Sequence, residues 1–189
     1  MPLSNATELD WKVVSAQLGR PARDIVAIAA RCVCGNPTVV QTAPRLAHGE
    51  PFPTVYYLTH PAATGALSAL EASGVMADLQ DRLAVDEGLA AAYQAAHLAY
   101  IADRDRVAEQ LKLEPVSEIA GISAGGMPTR VKCLHALAGH SLAAGPGVNP
   151  IGDIALELCS WSPDRCQCNP EIAGYAIEHK DAQPNKKVN

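Results

Sequence analysis

The fold is decided by the stretch DIVAIAARCVCGNPTVVQT, residues 24–42. Its first half is apolar and β-branched, the letters CGNP supply a turn, and TVVQT begins a second β-branched run. Residues 24–43 are therefore predicted to form a β-hairpin. A third strand is predicted for TVYYLT, residues 54–59, which follows the rigid segment PFP.

The remaining chain shows helical patterns, with proline at helix starts and glycine after helix ends. Helices are predicted at residues 7–18, from Pro61 to Gly74, through VMADLQDRLA, and at about 86–113, 128–143 and 150–159. Strands first and helices later indicate an α+β fold, a small antiparallel sheet of about three strands packed with five or six helices. Residues 1–160 are predicted as a single domain, and residues 161–189 as a cysteine-containing, partly disordered tail.

Composition excludes some classes of protein. Hydrophobic residues make up 48% and charged residues 19% of the 189, which are globular values. A net charge of −5 argues against a nucleic-acid partner, since such proteins carry a basic face. The first thirty residues hold acidic side chains and no long apolar run, so neither a signal peptide nor a membrane span is expected, and we expect a cytoplasmic protein.

Four pieces of sequence carry a family resemblance. They are RCxxGxP (from Arg31), PFPTxYYLTHP (residues 51–61), GGMPxRVKCLH (residues 125–135) and AAGPGVNPxGD (residues 143–153). Together they resemble the bacterial family called domain of unknown function 501, over roughly residues 20–158. The resemblance implies no established activity. Genes of this family often lie beside septum-formation and exopolyphosphatase genes, which implies a role near the division or polyphosphate machinery.

Thiols and imidazoles in these pieces point to a metal. Six cysteines in a reducing compartment are expected as thiols or metal ligands, and zinc binds thiolate and imidazole in a tetrahedron. The predicted ligands are Cys32, in a tight turn, His60, at the end of the third strand, and Cys133 and His140, from the helix at 128–143. The alternative is that Cys133 packs as a small hydrophobe and that the histidines are ordinary hydrogen-bonded residues.

Helical spacing limits that ligand set. At about 100° per residue, Cys133 and His140 share a face but lie roughly 10 Å apart along the axis, which makes His140 a marginal ligand. His135 lies about 200° around the helix from Cys133, so these two are predicted not to face one ion.

The cysteines beyond residue 158 form a second group, Cys159, Cys166 and Cys168, outside the family resemblance. They can complete a site with Cys34, oxidise, or have no role. They are therefore left out of the predicted ligand set.

Anion binding is the second predicted chemistry. The segment SAGGMP places backbone N–H groups at a predicted helix start, where unsatisfied donors and the helix dipole favour phosphate or carboxylate. Gly125, Gly126, Arg130 and Lys132 are the predicted anion-binding residues, with Arg130 offering a forked contact. The alternative is that the two glycines only form a turn.

Two functions remain open at this point. The first is a protein that binds zinc, a phosphorylated or acidic small molecule, or both, where the sheet edge meets the helix at 128–143. Whether it is an enzyme is undecided. Lys132, Arg130 or His60 could activate Cys133 as a thiolate nucleophile. The second is a non-enzymatic module that binds a protein partner near the division or polyphosphate machinery, with Cys and His purely structural.

Overall fold

A computed structural model describes residues 3–172 of the chain. The elements run in the order α1 (Glu8–Leu18), β1 (Ile25–Arg31), β2 (Pro37–Thr42), β3 (Tyr56–Leu58), α2 (Pro61–Ala72), α3 (Val75–Val85), α4 (Glu87–Gln110), a 3-10 turn (Ser117–Ile119), α5 (Leu134–Ala144) and α6 (Pro150–Leu158). This confirms the predicted α+β fold, with a three-stranded sheet and six helices. Part of the predicted tail, residues 173–189, lies outside the described residues.

The sheet is antiparallel in the order β1-β2-β3. Every residue of β2 is buried, because helices cover both faces of the central strand. Adjacent residues of a strand point to opposite faces. Val39 accordingly belongs to the main core, while Val40 packs with Val14 of α1 in a smaller cluster on the other face.

Helix α5 packs over the main face of the sheet, and α6 packs on α5, α4 and α2. A Cβ atom at Gly139 of α5 would lie 3.2 Å from the carbonyl oxygen of Tyr56, so this helix passes close above β3. The crossing of α5 with α6 is closer still, since a Cβ at Gly152 would overlap the carbonyl oxygen of Leu137. The start of α5 lies beside the end of α2, where Leu134 N–H donates to Glu71 Oε1.

Helix starts follow local sequence chemistry. Thr7 and Asp10 form a reciprocal capping box at α1, and Asp86 and Asn149 cap α4 and α6 through their side chains. None of the helices within residues 3–172 has the combined length and apolar character needed to cross a bilayer.

Helix α5 differs from its prediction. It begins at Leu134, not at Pro128. The backbone of residues 124–133 forms a loop in which Arg130 N–H donates to the Gly126 carbonyl and Lys132 N–H to the Gly125 carbonyl. The side chain of Gln80, from α3, accepts from Val131 N–H and donates to the Thr129 carbonyl. These long-range hydrogen bonds replace the helical bonds that a start at Pro128 requires.

Candidate functional site

Four cysteines from opposite ends of the chain meet at one place. The Sγ atoms of Cys32, Cys34, Cys166 and Cys168 all lie within 4.8 Å of one another, and we call this group the four-cysteine cluster. Cys34 Sγ and Cys168 Sγ are 3.5 Å apart although 134 residues separate them. All six cysteines of the chain are free thiols.

The hairpin turn between β1 and β2 supplies the first two thiols. Gly35 N–H donates to the Cys32 carbonyl and Cys32 N–H to the Asn36 carbonyl, each at 2.8 Å. Gly35 has a φ of 95°, which glycine adopts without strain. This tight turn holds Cys32 and Cys34 on the rim of the sheet.

The segment after α6 supplies the other two. Trp161 is only 2% exposed and belongs to the main core, so it anchors this segment to the domain. Its ring packs on the imidazole of His60, with centroids 5.5 Å apart. From this anchor the chain brings Cys166 and Cys168 to the hairpin turn.

His60 borders the four-cysteine cluster. It is fully buried, and its Nε2 lies 3.1 Å from Cys168 Sγ. Its Nδ1 accepts from Ala63 N–H at the start of α2, so in the neutral ring the proton is on Nε2. Burial lowers the pKa of His60, which keeps the ring neutral. This geometry makes His60 an N–H donor to the Cys168 sulfur.

Burial also shifts the pKa values of the thiols in the four-cysteine cluster. It raises the pKa of Cys34 to about 11 and raises that of Cys168 well above its ordinary value, while the Asn36 backbone and side chain oppose the shift. At Cys166, burial is outweighed by hydrogen bonds from the Cys168 backbone and the neighbouring thiols, so its pKa is lowered. Loss of all four protons would place four thiolates close enough to repel one another, and a divalent cation would remove that repulsion.

The size of the four-cysteine cluster suits a metal ion. Zinc–sulfur bonds of about 2.3 Å place tetrahedral sulfurs roughly 3.8 Å apart, close to the separations found here. Because all four ligands come from the protein, such a site has no position for substrate and serves structure rather than catalysis.

A second group of possible ligands lies where α2 meets α5. Glu71, Cys133 and His135 each place one ligand atom within 4.8 Å of the others. His135 Nδ1 is 3.1 Å from Glu71 Oε1 and 4.0 Å from Cys133 Sγ. We call this group the Glu-Cys-His cluster.

The Glu-Cys-His cluster corrects the predicted separation of Cys133 from His135. Because α5 begins at Leu134, Cys133 is its N-cap and has an extended backbone, with φ −152° and ψ 105°. The rule of 100° per residue therefore does not apply between the two. In the absence of a metal, the hydrogen bond with Cys133 raises the pKa of His135 to about 9, and the same bond lowers the pKa of Cys133.

The predicted zinc ligands occupy different places. Cys32 belongs to the four-cysteine cluster with His60 beside it, whereas Cys133 belongs to the Glu-Cys-His cluster. His140 is fully buried between the rings of Tyr56 and Tyr100, with centroids 5.8 and 5.0 Å away. Among the described residues, His140 is a member of neither the four-cysteine cluster nor the Glu-Cys-His cluster.

The predicted anion-binding residues form a loop before α5. Gly125 and Gly126 have positive φ angles, 67° and 95°, and their carbonyls accept from the backbone N–H groups of Lys132 and Arg130, respectively. At the observed start of α5, Leu134 N–H donates to Glu71 Oε1 at 2.6 Å. This N–H group is therefore already hydrogen-bonded to a carboxylate of the protein. Anion binding by Gly125, Gly126, Arg130 and Lys132 stays a prediction.

Two of these residues, Glu71 and His135, were in no predicted site. Three more were named only as an alternative and left out of the predicted ligand set: Cys34, Cys166 and Cys168. A signal for the first cluster was present, because the Cys-x-Cys pattern occurs twice, at residues 32–34 and 166–168. No local pattern connects Glu71 with Cys133, since their approach depends on how α2 packs against α5.

Comparison with known proteins gives one match. Residues 28–157, more than half of the chain, match the family described as "Protein of unknown function (DUF501)". Neither the curated proteins nor the solved structures contain a significant match. The Glu-Cys-His cluster and the hairpin cysteines lie within the matched residues, whereas Cys166 and Cys168 lie beyond them. The chain therefore belongs to the DUF501 family.

Proposed function

We propose that this chain is a zinc-binding protein whose four-cysteine cluster holds one structural zinc ion. The observation that carries the proposal is the approach of four sulfur atoms, from the hairpin turn and from the segment after α6, to within 4.8 Å of one another. Free cysteines have no general reason to gather in this way, since buried thiols pack individually as small hydrophobes.

The surroundings of the four-cysteine cluster support this proposal. His60 Nε2 and the side chain and backbone of Asn36 direct hydrogen bonds at the sulfurs of Cys168 and Cys34. Donors around metal-bound sulfur orient the ligands and stabilise the deprotonated form. We therefore propose Cys32, Cys34, Cys166 and Cys168 as ligands and His60 as a donor to them.

Zinc is proposed over other ions because soft thiolates in a tetrahedron favour zinc or iron, and zinc needs no redox partner. Its role here is to tie the segment after α6 to the hairpin. A cytoplasmic location is part of the proposal, since a reducing compartment keeps six thiols available for metal.

Metal analysis of the untagged full-length protein tests this function. Cys34→Ser should lower the zinc content by about one equivalent, because a site short of one thiolate holds its ion far more weakly. Cys159→Ser is the matched control, since Cys159 donates to backbone carbonyls and lies outside the cluster. Equal zinc in the two variants, or iron in place of zinc, would overturn the proposal.

The loop before α5 is the proposed site for a small anion. Binding of a phosphorylated or acidic small molecule by Gly125, Gly126, Arg130 and Lys132 is proposed as a second role, on the basis of the two left-handed glycines and the basic residues after them. Arg130→Ala should abolish any rise in melting temperature caused by inorganic phosphate. An unchanged rise would reject this site and would favour the alternative, an interaction module with purely structural Cys and His.

A further inference from the structure

The Glu-Cys-His cluster presents three ligand atoms from two helices. Glu71 lies in the last turn of α2, Cys133 caps α5, and His135 is the second residue of α5. The donor set of carboxylate oxygen, thiolate sulfur and imidazole nitrogen is one that zinc accepts. The separations of 3.1 and 4.0 Å around His135 Nδ1 are close to those between ligands of a tetrahedral ion.

The hydrogen bonds of His135 determine which nitrogen faces the cluster. Its Nε2 lies 3.0 Å from the carbonyl oxygen of Thr64, and a carbonyl can only accept, so Nε2 carries a proton. In the neutral ring Nδ1 then has a lone pair, and this lone pair faces a carboxylate oxygen and a sulfur. When the ring is neutral, these three electron-pair donors repel one another, and either a proton on Nδ1 or a metal ion between them removes that repulsion.

The ligand atoms are also held in place by the backbone. Leu134 N–H donates to Glu71 Oε1, and the Thr64 carbonyl orients the ring of His135. Contacts of this kind to carboxylate and imidazole ligands are usual around metal ions in proteins. The N-terminus of α5 further favours a deprotonated Cys133.

The Glu-Cys-His cluster is open to solvent, unlike a fully liganded site. The side chains of His135 and Glu71 are 26% and 23% exposed, and Ser68, whose hydroxyl lies 3.2 Å from His135 Nε2, is exposed. Three protein ligands leave one tetrahedral position for water or an anion, which is the arrangement of catalytic zinc sites.

We infer that Glu71, Cys133 and His135 bind a second divalent metal ion of the zinc class, with a fourth position that exchanges water for a small anion. This inference does not rest on the four-cysteine cluster, with which it shares no ligand. The ion would act there as a Lewis acid at the surface of the domain.

Cobalt titration of the metal-free, full-length protein tests the inference. The untagged wild type should bind two equivalents, and Cys133→Ser and His135→Gln should each bind one, while Cys159→Ser keeps two. Cobalt bound to the double variant Cys166→Ser/Cys168→Ser should show weaker sulfur-to-metal absorbance, because one thiolate replaces four. Circular dichroism establishes that each variant is folded, and an unfolded Cys133→Ser is replaced by Cys133→Ala.

The outcomes separate the two sites. If only Cys166→Ser/Cys168→Ser loses one equivalent of cobalt, the proposed function is supported and this inference is overturned. If only Cys133→Ser loses one equivalent, this inference is supported and the proposed function is overturned. Sodium azide should shift the visible cobalt bands of the double variant, and unchanged bands would reject the open position. Cobalt should also slow alkylation of Cys133 by iodoacetamide at least tenfold; an equal rate would show a thiolate–imidazolium pair that binds no metal.

Discussion

His60 Nε2 lies 3.1 Å from Cys168 Sγ, across 108 residues of sequence. The imidazole is buried, and its other nitrogen is occupied at the start of α2, so it can direct one N–H only to this sulfur. The contact joins the end of β3 to the segment after α6. It also links the packing of the core to the chemistry of the four-cysteine cluster.

Loss of this donor should weaken zinc binding. We expect His60→Phe, which keeps a ring against Trp161 but has no N–H, to lower the zinc affinity of the four-cysteine cluster by about 10- to 100-fold. Competition with a zinc chelator measures the affinity. His97→Phe is the control, since His97 contacts Ser123 and should leave the affinity unchanged; a similar loss in both variants would contradict the role given to His60.

The ion pair between Asp10 and Arg31 should contribute strongly to stability. The Asp10 side chain is fully buried and accepts two hydrogen bonds from the guanidinium, at 2.7 and 2.9 Å. Arg31 also donates to the Gly35 carbonyl in the hairpin turn. We expect Asp10→Asn to lower the free energy of unfolding by about 3 kcal/mol, because a partly buried charge loses its partner. Urea denaturation measures this, and exposed Asp81→Asn should change it by less than about 0.5 kcal/mol.

The ion pair between Asp10 and Arg31 should also make the stability of the protein depend on pH. Burial alone would raise the pKa of Asp10, but hydrogen bonds from Arg31 and Thr7 outweigh it and hold the value below its ordinary 3.8. A carboxyl with a lowered pKa in the folded state stabilises the protein above 3.8 and loses that effect as the pH falls further. The stability difference between wild type and Asp10→Asn should therefore narrow below pH 4. A constant difference would exclude this linkage.

His140 should make the protein less stable in mild acid. Burial lowers its pKa to about 4, against an ordinary value of 6.5. Because the unfolded chain takes up the proton first, the free energy of unfolding should fall from pH 6.5 toward pH 4, by at most about 1.4 kcal/mol per pH unit from this residue. His140→Phe should flatten the slope. Equal slopes in the wild type and this variant would show that His140 does not titrate as its burial requires.

The crossing of α5 with α6 should tolerate no side chain at Gly152. An added methyl would overlap the backbone of Leu137, which cannot move without shifting the helix. We expect Gly152→Ala to cost about 1–3 kcal/mol, as overpacked cores do. Gly65→Ala in α2 is the matched control, because no atom lies within 4 Å of its added Cβ, and it should stabilise the protein by about 0.5–1 kcal/mol. Thermal unfolding of both variants measures the contrast, and a neutral Gly152→Ala would mean that the helices can separate.

Much of the fold could be predicted because its signals are local. The hairpin at residues 24–43 combines β-branched runs with a turn that contains Gly35, and the caps at Asp86 and Asn149 mark helix starts. The start of α5 could not be predicted in this way. The side chain of Gln80, about fifty residues earlier, forms hydrogen bonds with the Thr129 carbonyl and the Val131 N–H. This tertiary contact overrides a local preference for helix after Pro128.

The sequence by itself determined the residue types available for chemistry, the hairpin turn that carries Cys32 and Cys34, and the α+β class. Only the tertiary structure decided which side chains meet. Trp161 is buried in the core and brings Cys166 and Cys168 to the hairpin, while the contact of α2 with α5 brings Glu71 to Cys133 and His135. Backbone hydrogen bonds and capping act over a few residues and can be read along the chain. The partners of a thiol or an imidazole depend on how distant elements pack, and no local pattern encodes that geometry.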